Sequence, residues 1–327
     1  MEVDAVGRAE TLSDAAVAGD RLALSRLLTA VENRTPVAEA ALRRLYRSAG
    51  RAHLVGITGP PGSGKSTLVA ALIAEVRAAG RPVAVIAVDP SSPITGGALL
   101  GDRVRMQAYA DDDDVFIRSM ASRGHAGGLA STSTAAASVL DAAGFDLILI
   151  ETVGTGQSEV EVAATADTTV VLEAPEMGDE VQAIKAGLLE VADLVVVNKG
   201  DKPGAQRTAA QLRAMLVAAA PRDPADTRPR PKRPEVLITT AATGAGVPEL
   251  LAALDRHRAA GRDGLSAAAR LARAETQVWA IVADRMRARL HDAPRAAATS
   301  DVLDAVADHR LDPYAAADRL LADLGDG

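Results

Sequence analysis

One run of eight residues, Gly59–Ser66, constrains this chain more than any other feature of its sequence. It reads Gly-Pro-Pro-Gly-Ser-Gly-Lys-Ser and fits the pattern G-x-x-x-x-G-K-[ST], in which backbone N–H groups surround phosphate oxygens. Residues 53–58 before it are typical of a short buried strand, and residues 66–76 after it are typical of a helix. Strand, glycine loop and helix together predict a nucleotide-phosphate site at a helix N-terminus.

The loop assigns a role to each of its polar side chains. Lys65 is expected to reach the β- and γ-phosphates, and the Ser66 hydroxyl is expected to bind Mg²⁺. The other positions predicted to contact the nucleotide here are Gly59, Pro60, Pro61, Gly62, Ser63, Gly64 and Thr67. The alternative interpretation is a glycine-rich turn before a helix, which the flanking strand and helix patterns disfavour.

Apolar runs recur along the middle of the chain at spacings that suit alternating strands and helices. They lie at 54–58, 83–88, 115–117, 146–150, 168–172, 194–197 and 236–239. Short, continuous apolar runs are typical of parallel strands that are buried on both faces. The sequence therefore predicts an α/β fold with a doubly wound, mainly parallel sheet, and ligands at the carboxyl ends of its strands.

Helical extensions are predicted on both sides of this nucleotide-binding region. Residues 1–50 form the first extension, with Thr35 as an N-cap and Pro36 at the next helix start. Residues 51–260 form the central domain, and residues 261–327 form a C-terminal helical arm. The arm is predicted to bind a second copy of the chain; the alternative is that its helices fold back on their own domain.

Three carboxylates and one arginine are candidates for the metal and the phosphates. Asp89 and Glu151 follow the second and fourth apolar runs, and Asp102 lies further along with Arg105, which could face phosphate. A turn at Asp89 and a solvated helix face at Asp102 and Arg105 are the alternatives. The backbone amide of Gly154, three residues after Glu151, is expected to meet the γ-phosphate.

A second motif predicts which base is bound. Asn198-Lys199-Gly200-Asp201 directly follows an apolar run and fits N-K-x-D, whose carboxylate accepts hydrogen bonds from guanine N1–H and the exocyclic amine. Adenine lacks that pair of donors, so it would leave the carboxylate without partners. Thr240, Ala241 and Ala242 follow the last apolar run, and their small side chains allow a backbone N–H to approach guanine O6.

Composition excludes several classes of function. The chain has no cysteine, which excludes thiol catalysis, disulfides and cysteine-based metal sites and suits a reducing compartment. Its net charge of −7 argues against nucleic acid as the main partner. No apolar run approaches the length of a membrane span, and the first residues do not resemble a secretory signal, so we expect a cytoplasmic protein.

With these residues in hand, the chain resembles the MeaB/ArgK family of GTPases, whose human counterpart is the methylmalonic aciduria type A protein. The segments that carry the resemblance are Gly59–Thr67, Val88–Pro93, Asp102–Met106, Glu151–Glu159, Gly178–Glu180 and Asn198–Asp201. The resemblance implies a P-loop NTPase of the SIMIBI class that acts as a chaperone of adenosylcobalamin-dependent acyl-CoA mutases. Such mutases act on methylmalonyl-, isobutyryl- or 2-hydroxyisobutyryl-CoA.

The resemblance also implies roles for individual residues. It places Ser66, Asp89, Asp102 and Glu151 around Mg²⁺, and Asn198, Lys199 and Asp201 around the guanine of GTP or GDP. The candidates for catalysis are Lys65, Arg105, Glu151 and Lys185, the last at the end of a switch segment. The implied partners are the mutase, a second copy of the chain and, indirectly, a cobalamin adenosyltransferase. The stretch Glu173–Met177 departs from the Pro-Gly-x-Gly-Asp-Glu that family members usually carry there.

Three other functions remain open from the sequence. A P-loop kinase acting on a small molecule or a transport protein would prefer ATP, which Asn198–Asp201 disfavours. A nickel-delivery GTPase of the same fold class is disfavoured because the chain has no cysteine and no histidine-rich tract. An adaptor that binds GTP without hydrolysing it is the third.

Overall fold

The protein is built on a central sheet with helices on both of its faces. The computed structural model describes residues 2–89, 109, 111–121, 128–152, 165–175, 189–218, 233–262 and 267–325. Its strands are β1 (His53–Thr58), β2 (Val83–Asp89), β3 (Val115–Ala121), β4 (Leu147–Thr152), β5 (Thr168–Glu173), β6 (Leu194–Val197) and β7 (Glu235–Ile238). Its helices are α1 (Glu2–Val17), α2 (Arg21–Glu32), α3 (Pro36–Leu45), α4 (Lys65–Ala78), α5 (Gly128–Ala142), α6 (Ala205–Ala218), α7 (Val247–Arg262), α8 (Ala267–His291), α9 (Ala293–Ala307) and α10 (Pro313–Gly325).

The seven strands form one sheet in the order β3-β2-β4-β1-β5-β6-β7, and each neighbouring pair is parallel. β1 lies at the centre, with β2, β3 and β4 on one side and β5, β6 and β7 on the other. In such a sheet, ligands bind at the carboxyl ends of the strands where the winding changes direction. The predicted fold class, a doubly wound parallel sheet with helical extensions, is confirmed.

All seven predicted strands are present, and the main difference concerns β3. This strand continues to Ala121, whereas the apolar run that predicted it ends at Ile117. The added residues include Arg118, whose guanidinium lies 2.8 Å from Glu32 of α2. β3 is at the edge of the sheet, so a polar residue of this strand can face a neighbouring helix. A prediction from the apolar run alone therefore ends the strand too early.

Two apolar layers cover the sheet. Helices α1, α2, α3 and α5 pack on one face, where Leu27, Leu28 and Leu140 are fully buried. Helices α4 and α7 share a core cluster on the other face, in which Leu72 and Leu254 are fully buried. Because both faces are covered, the strands are rich in Val, Ile and Leu rather than alternating between apolar and polar residues.

The N-terminal helices are held by caps and by contacts with the edge of the sheet. The Thr35 hydroxyl accepts a hydrogen bond from Ala38 N at 3.3 Å, and Pro36 is the first helical residue, as predicted. The Arg21 guanidinium donates to the carbonyl oxygens of Asp112, Asp113 and Val115 over 2.8–3.1 Å. These contacts fasten α2 to the start of β3.

The chain divides into two compact units, residues 1–269 and 270–327. Within the second unit, the Thr299 hydroxyl donates to the Leu290 carbonyl at 2.9 Å, and Val302 and Ala316 are buried. The same unit exposes large apolar side chains, namely Leu271, Val278, Trp279, Ile281, Val282, Leu303, Tyr314 and Leu321. Among the described helices, none combines the length and the apolarity that crossing a membrane requires. The domain boundaries predicted from the sequence stay predictions.

Candidate nucleotide-binding site

The glycine loop between β1 and α4 depends on backbone conformations and close contacts that only glycine permits. Gly59, Gly62 and Gly64 have φ values of 143°, 78° and 95°. A Cβ on Gly59 would overlap the carbonyl oxygen of Leu172, and a Cβ on Gly64 would lie 2.5 Å from Nδ2 of Asn198. The loop is therefore fixed by packing against β5 and against the residue that follows β6.

Lys65 places its ammonium group inside this loop. Its Nζ donates to the Gly59 carbonyl at 2.7 Å and to the Pro60 carbonyl at 3.2 Å, and the residue is 8% exposed. Lys65 is also the first residue of α4, whose N-cap is Gly64. The ammonium charge and the N-terminus of the helix are thus directed at one spot, which suits the binding of an anion.

The two best-placed oxygen ligands for a cation lie in direct contact. The Ser66 hydroxyl donates to Glu151 Oε1 at 2.6 Å, and Glu151 is 1% exposed at the carboxyl end of β4. Ala87 of β2 pairs with Glu151, so Asp89, the last residue of β2, lies further along at the same edge of the sheet. A hydroxyl and a buried carboxylate are the kinds of ligand that Mg²⁺ prefers, so these residues fit that ion.

Asn198 connects the phosphate loop to both loops of the predicted guanine site. Its Nδ2 donates to the Ser63 carbonyl at 2.9 Å. Its Oδ1 accepts from Ala241 N at 3.0 Å and from the Thr239 hydroxyl at 3.2 Å. Asn198 is 2% exposed, so these bonds are shielded from water and fix three segments against one another.

The segment after Asn198 is also tightly packed. Lys199 has a φ of 57°, and Gly200 N donates to the Thr239 carbonyl at 2.9 Å. A Cβ on Gly200 would lie 2.7 Å from Cγ2 of Ile238. Asp201 is exposed, so its carboxylate can accept hydrogen bonds from a bound base.

The loop after β7 is closed by its own hydrogen bonds. Thr240 N donates to the Ala245 carbonyl at 2.8 Å, and Gly244 N donates to the Thr240 carbonyl at 3.0 Å. Ala241 is buried and Ala242 is exposed within this turn. The turn holds its backbone N–H groups next to Asn198, at the place where the sequence predicts contact with guanine.

The structure brings most of the predicted site residues to one edge of the sheet. Four of them, Asp102, Arg105, Gly154 and Lys185, lie outside the described residues. Sequence reasoning missed Thr239, whose hydroxyl supports Asn198 from the residue before the predicted guanine loop. The available signal was a threonine at the end of the last predicted strand, directly before Thr240–Ala242. The roles assigned to individual residues stay predictions.

Comparisons with known proteins agree with this geometry. A solved structure described as a LAO/AO transport system kinase superposes with a TM-score of 0.67, at 26% identity and over 98% of both chains. A Pyrococcus abyssi protein whose name assigns it to the GTPases is 45% identical over 307 residues, 94% of each chain. GTPase ArgK of Escherichia coli is 44% identical over 187 residues, 56% of each chain.

The fold and its relatives define a P-loop GTPase, an enzyme that hydrolyses GTP. A family model described as methylmalonyl Co-A mutase-associated GTPase MeaB matches residues 24–295. The chain therefore belongs to the MeaB family. The mouse protein named methylmalonic aciduria type A homolog, mitochondrial, is 36% identical over 252 residues, which are 72% of this chain and 59% of that protein.

Proposed function

We propose that this GTPase is a chaperone of an adenosylcobalamin-dependent acyl-CoA mutase and gates the delivery of cobalamin to it. The observation that carries the proposal is the MeaB family match over residues 24–295, because the description of that family names association with methylmalonyl-CoA mutase. The similarity to the mouse methylmalonic aciduria type A homolog supports the same assignment. The protein would protect the mutase and reactivate it in the cytoplasm.

Bound nucleotide occupies the edge of the sheet that holds Lys65 and Asn198. Lys65 exchanges its two loop carbonyls for the β- and γ-phosphates, and Asp201 accepts hydrogen bonds from guanine. Ser66, Asp89, Asp102 and Glu151 would hold Mg²⁺. When bound, Mg²⁺ neutralises charge on the phosphates.

Hydrolysis by the isolated chain is expected to be slow. Water is the nucleophile, and Lys65, Glu151, Arg105 and Lys185 are the residues proposed to contact the reacting groups. The sequence offers no convincing general base and no arginine finger. A docked mutase would therefore accelerate turnover. It would sense the γ-phosphate through the segments after Asp89, Glu151 and Leu172.

The second unit is proposed to bind a second copy of the chain. Trp279 is 68% exposed and Val278 is 56% exposed on α8, and both are large apolar residues. Ile281 and Val282 extend this surface along the same helix. Apolar side chains clustered on one helix are typical of an interface. In a symmetric homodimer, the same surface of a second copy would cover them.

The experiment is GTP turnover by the purified protein alone and with an added methylmalonyl-CoA mutase, with ATP as the control nucleotide. We expect slow turnover of GTP that rises when the mutase is added, and little turnover of ATP. The matched control is Lys65→Ala, which should show no rise because its phosphate contact is lost. Preference for ATP would support a kinase instead. Turnover that is unchanged by methylmalonyl-, isobutyryl- and 2-hydroxyisobutyryl-CoA mutases would overturn the chaperone role.

A further inference from the structure

Thr239, the residue after β7, directs its polar groups at the segment that carries the predicted guanine motif. Its N–H donates to the Val197 carbonyl at 3.0 Å, and its hydroxyl donates to Asn198 Oδ1 at 3.2 Å. Its carbonyl accepts from Gly200 N at 2.9 Å. Thr239 is therefore bonded to the residues on both sides of Lys199.

The direction of the hydroxyl bond follows from the orientation of the Asn198 amide. If that amide were turned round, Nδ2 would face the Ala241 N–H and Oδ1 would face the Ser63 carbonyl. Donor would then meet donor and acceptor would meet acceptor, which excludes the turned orientation. Oδ1 therefore faces Thr239, and the hydroxyl must donate because an amide oxygen only accepts.

This hydroxyl bond lies where bulk water does not replace it. Thr239 is 1% exposed and Asn198 is 2% exposed. Without the hydroxyl, Oδ1 of Asn198 would keep the bond from Ala241 N and lose the one from Thr239. Loss of one buried hydrogen bond typically changes an equilibrium constant by about fivefold.

The backbone conformation of Lys199 has to be held by its surroundings. Its φ of 57° is one that residues other than glycine rarely adopt, and such conformations persist where neighbouring contacts fix them. Thr239 fixes the residue before Lys199 through its hydroxyl and the residue after it through its carbonyl. A Cβ on Gly200 would lie 3.2 Å from the Thr239 carbonyl oxygen, so the two backbones are also closely packed.

Asp201 lies in a turn that begins at Lys199. Lys202 N donates to the Lys199 carbonyl at 2.9 Å, and this bond closes a turn with Gly200 and Asp201 at its central positions. The direction of the turn depends on its first two residues, which Thr239 holds. The place where the exposed Asp201 carboxylate meets a base therefore depends on Thr239.

We propose that Thr239 is a positioning residue for guanine nucleotides. Its hydroxyl, through Asn198, holds the turn at residues 199–202 so that the Asp201 carboxylate can pair with the base. The proposal rests on the predicted contact between Asp201 and guanine. Thr239 acts on the base and not on the γ-phosphate, so its loss should raise KM for GTP and leave kcat unchanged.

The test compares the dissociation constants of GDP and inosine diphosphate, whose base lacks the exocyclic amine of guanine. Asp201 would accept two hydrogen bonds from guanine and one from the base of inosine diphosphate. The ratio of the two constants therefore reports how well the carboxylate is placed. Both ligands bind the same folded protein, so a smaller folded fraction alone does not change the ratio.

We expect the wild type to bind GDP about tenfold more tightly than inosine diphosphate, because a hydrogen bond to a charged group is lost. Thr239→Val keeps the shape of the side chain without the hydroxyl, and it should reduce this ratio about fivefold. Thr239→Ser keeps the hydroxyl and should keep the wild-type ratio. In GTP turnover, Thr239→Val should raise KM with the same kcat.

A matched control makes the same substitution at a nearby threonine. The Thr243 hydroxyl donates to the Thr240 carbonyl at 3.2 Å and is exposed, so Thr243→Val should keep the wild-type ratio. Thr239→Ala is a second variant without the hydroxyl, and it decides the question if Thr239→Val does not fold. It should show the same reduced preference for GDP.

A wild-type ratio in the folded hydroxyl-free variants would overturn the proposal. An equal reduction in Thr239→Ser would also overturn it, because the methyl group and not the hydroxyl would then be responsible. Asp201→Asn tests the contact with the base separately and should lose the preference for GDP over inosine diphosphate. If Asp201→Asn keeps that preference, the predicted guanine site itself is wrong.

Discussion

The Ser66 hydroxyl and the Glu151 carboxylate are in direct hydrogen-bond contact at 2.6 Å, although 85 residues separate them in the sequence. One lies at the start of α4 and the other in β4, so the contact joins the phosphate loop to the strand that leads to Gly154. Two oxygens this close could both bind one Mg²⁺ ion.

We therefore expect Ser66→Ala and Glu151→Gln to raise the Mg²⁺ concentration needed for half-maximal GTP turnover. Loss of the Ser66 hydroxyl or of the Glu151 charge should raise this concentration by about tenfold, which corresponds to about 1.4 kcal/mol. Ser66→Thr is the control, because threonine keeps the hydroxyl and also occurs in the motif. Titration of Mg²⁺ against turnover gives the answer, and an unchanged midpoint in Glu151→Gln would rule out that carboxylate as a ligand.

Asn198 and Asp201 should separate stability from nucleotide binding. Asn198→Ala removes an amide that makes three buried hydrogen bonds, so the free energy of unfolding should fall by about 2–4 kcal/mol. Asp201→Asn changes an exposed carboxylate and should leave the free energy of unfolding within about 0.5 kcal/mol. Urea unfolding without nucleotide measures both, and GDP affinity should fall in both. Equal stability losses would contradict this division of roles.

The sequence predicted the sheet well because its strands are buried on both faces. Continuous runs such as Leu147–Ile150 leave few alternatives to a buried parallel strand. β3 was predicted too short because Arg118 and Ser119 interrupt its apolar run. Arg118 donates a hydrogen bond to Glu32 of α2, which lies far away in the sequence. The polar end of an edge strand depends on its tertiary neighbours, which periodicity does not encode.

Motif spacing predicted candidate residues for the site but not how they contact one another. The bond from Asn198 to the Ser63 carbonyl spans 135 residues, and nothing in N-K-x-D indicates it. The pairing of His53 and His257 through Thr168 was also beyond the sequence, where the histidines are scattered and lie in unrelated contexts. Such contacts depend on the order and register of strands, which the fold supplies.

Gly64 and Gly7 should respond in opposite directions to the same substitution. Gly64→Ala places a Cβ 2.5 Å from Asn198 Nδ2 at a φ of 95°, so it should destabilise the protein by about 1–3 kcal/mol and abolish GDP binding. Gly7→Ala, within α1, meets nothing within 4 Å and should stabilise the protein by about 0.5–1 kcal/mol. Thermal unfolding with and without GDP tests both. Normal GDP binding by Gly64→Ala would show that the loop can shift.

His53 should make the protein sensitive to acid. Its pKa is about 3 in the folded state, mainly because of burial, and an ordinary histidine has a pKa of 6.5. The unfolded chain therefore takes up this proton first, so this part of the stability is complete above about pH 6.5 and is lost as the pH falls toward 3. The slope approaches about 1.4 kcal/mol per pH unit, which gives a loss of about 2 kcal/mol by about pH 5.

The measurement is urea unfolding at about pH 7 and about pH 5, compared between wild type and His53→Gln. Glutamine does not titrate, and its terminal amide lies near the position of Nε2, so it can keep the contact with Thr168. The acid loss should be about 2 kcal/mol smaller in this variant than in wild type. His291→Gln removes an exposed histidine and should keep the wild-type loss. An equal acid loss in His53→Gln would mean that the imidazole of His53 gains its proton in the folded protein, and that its burial does not keep it neutral.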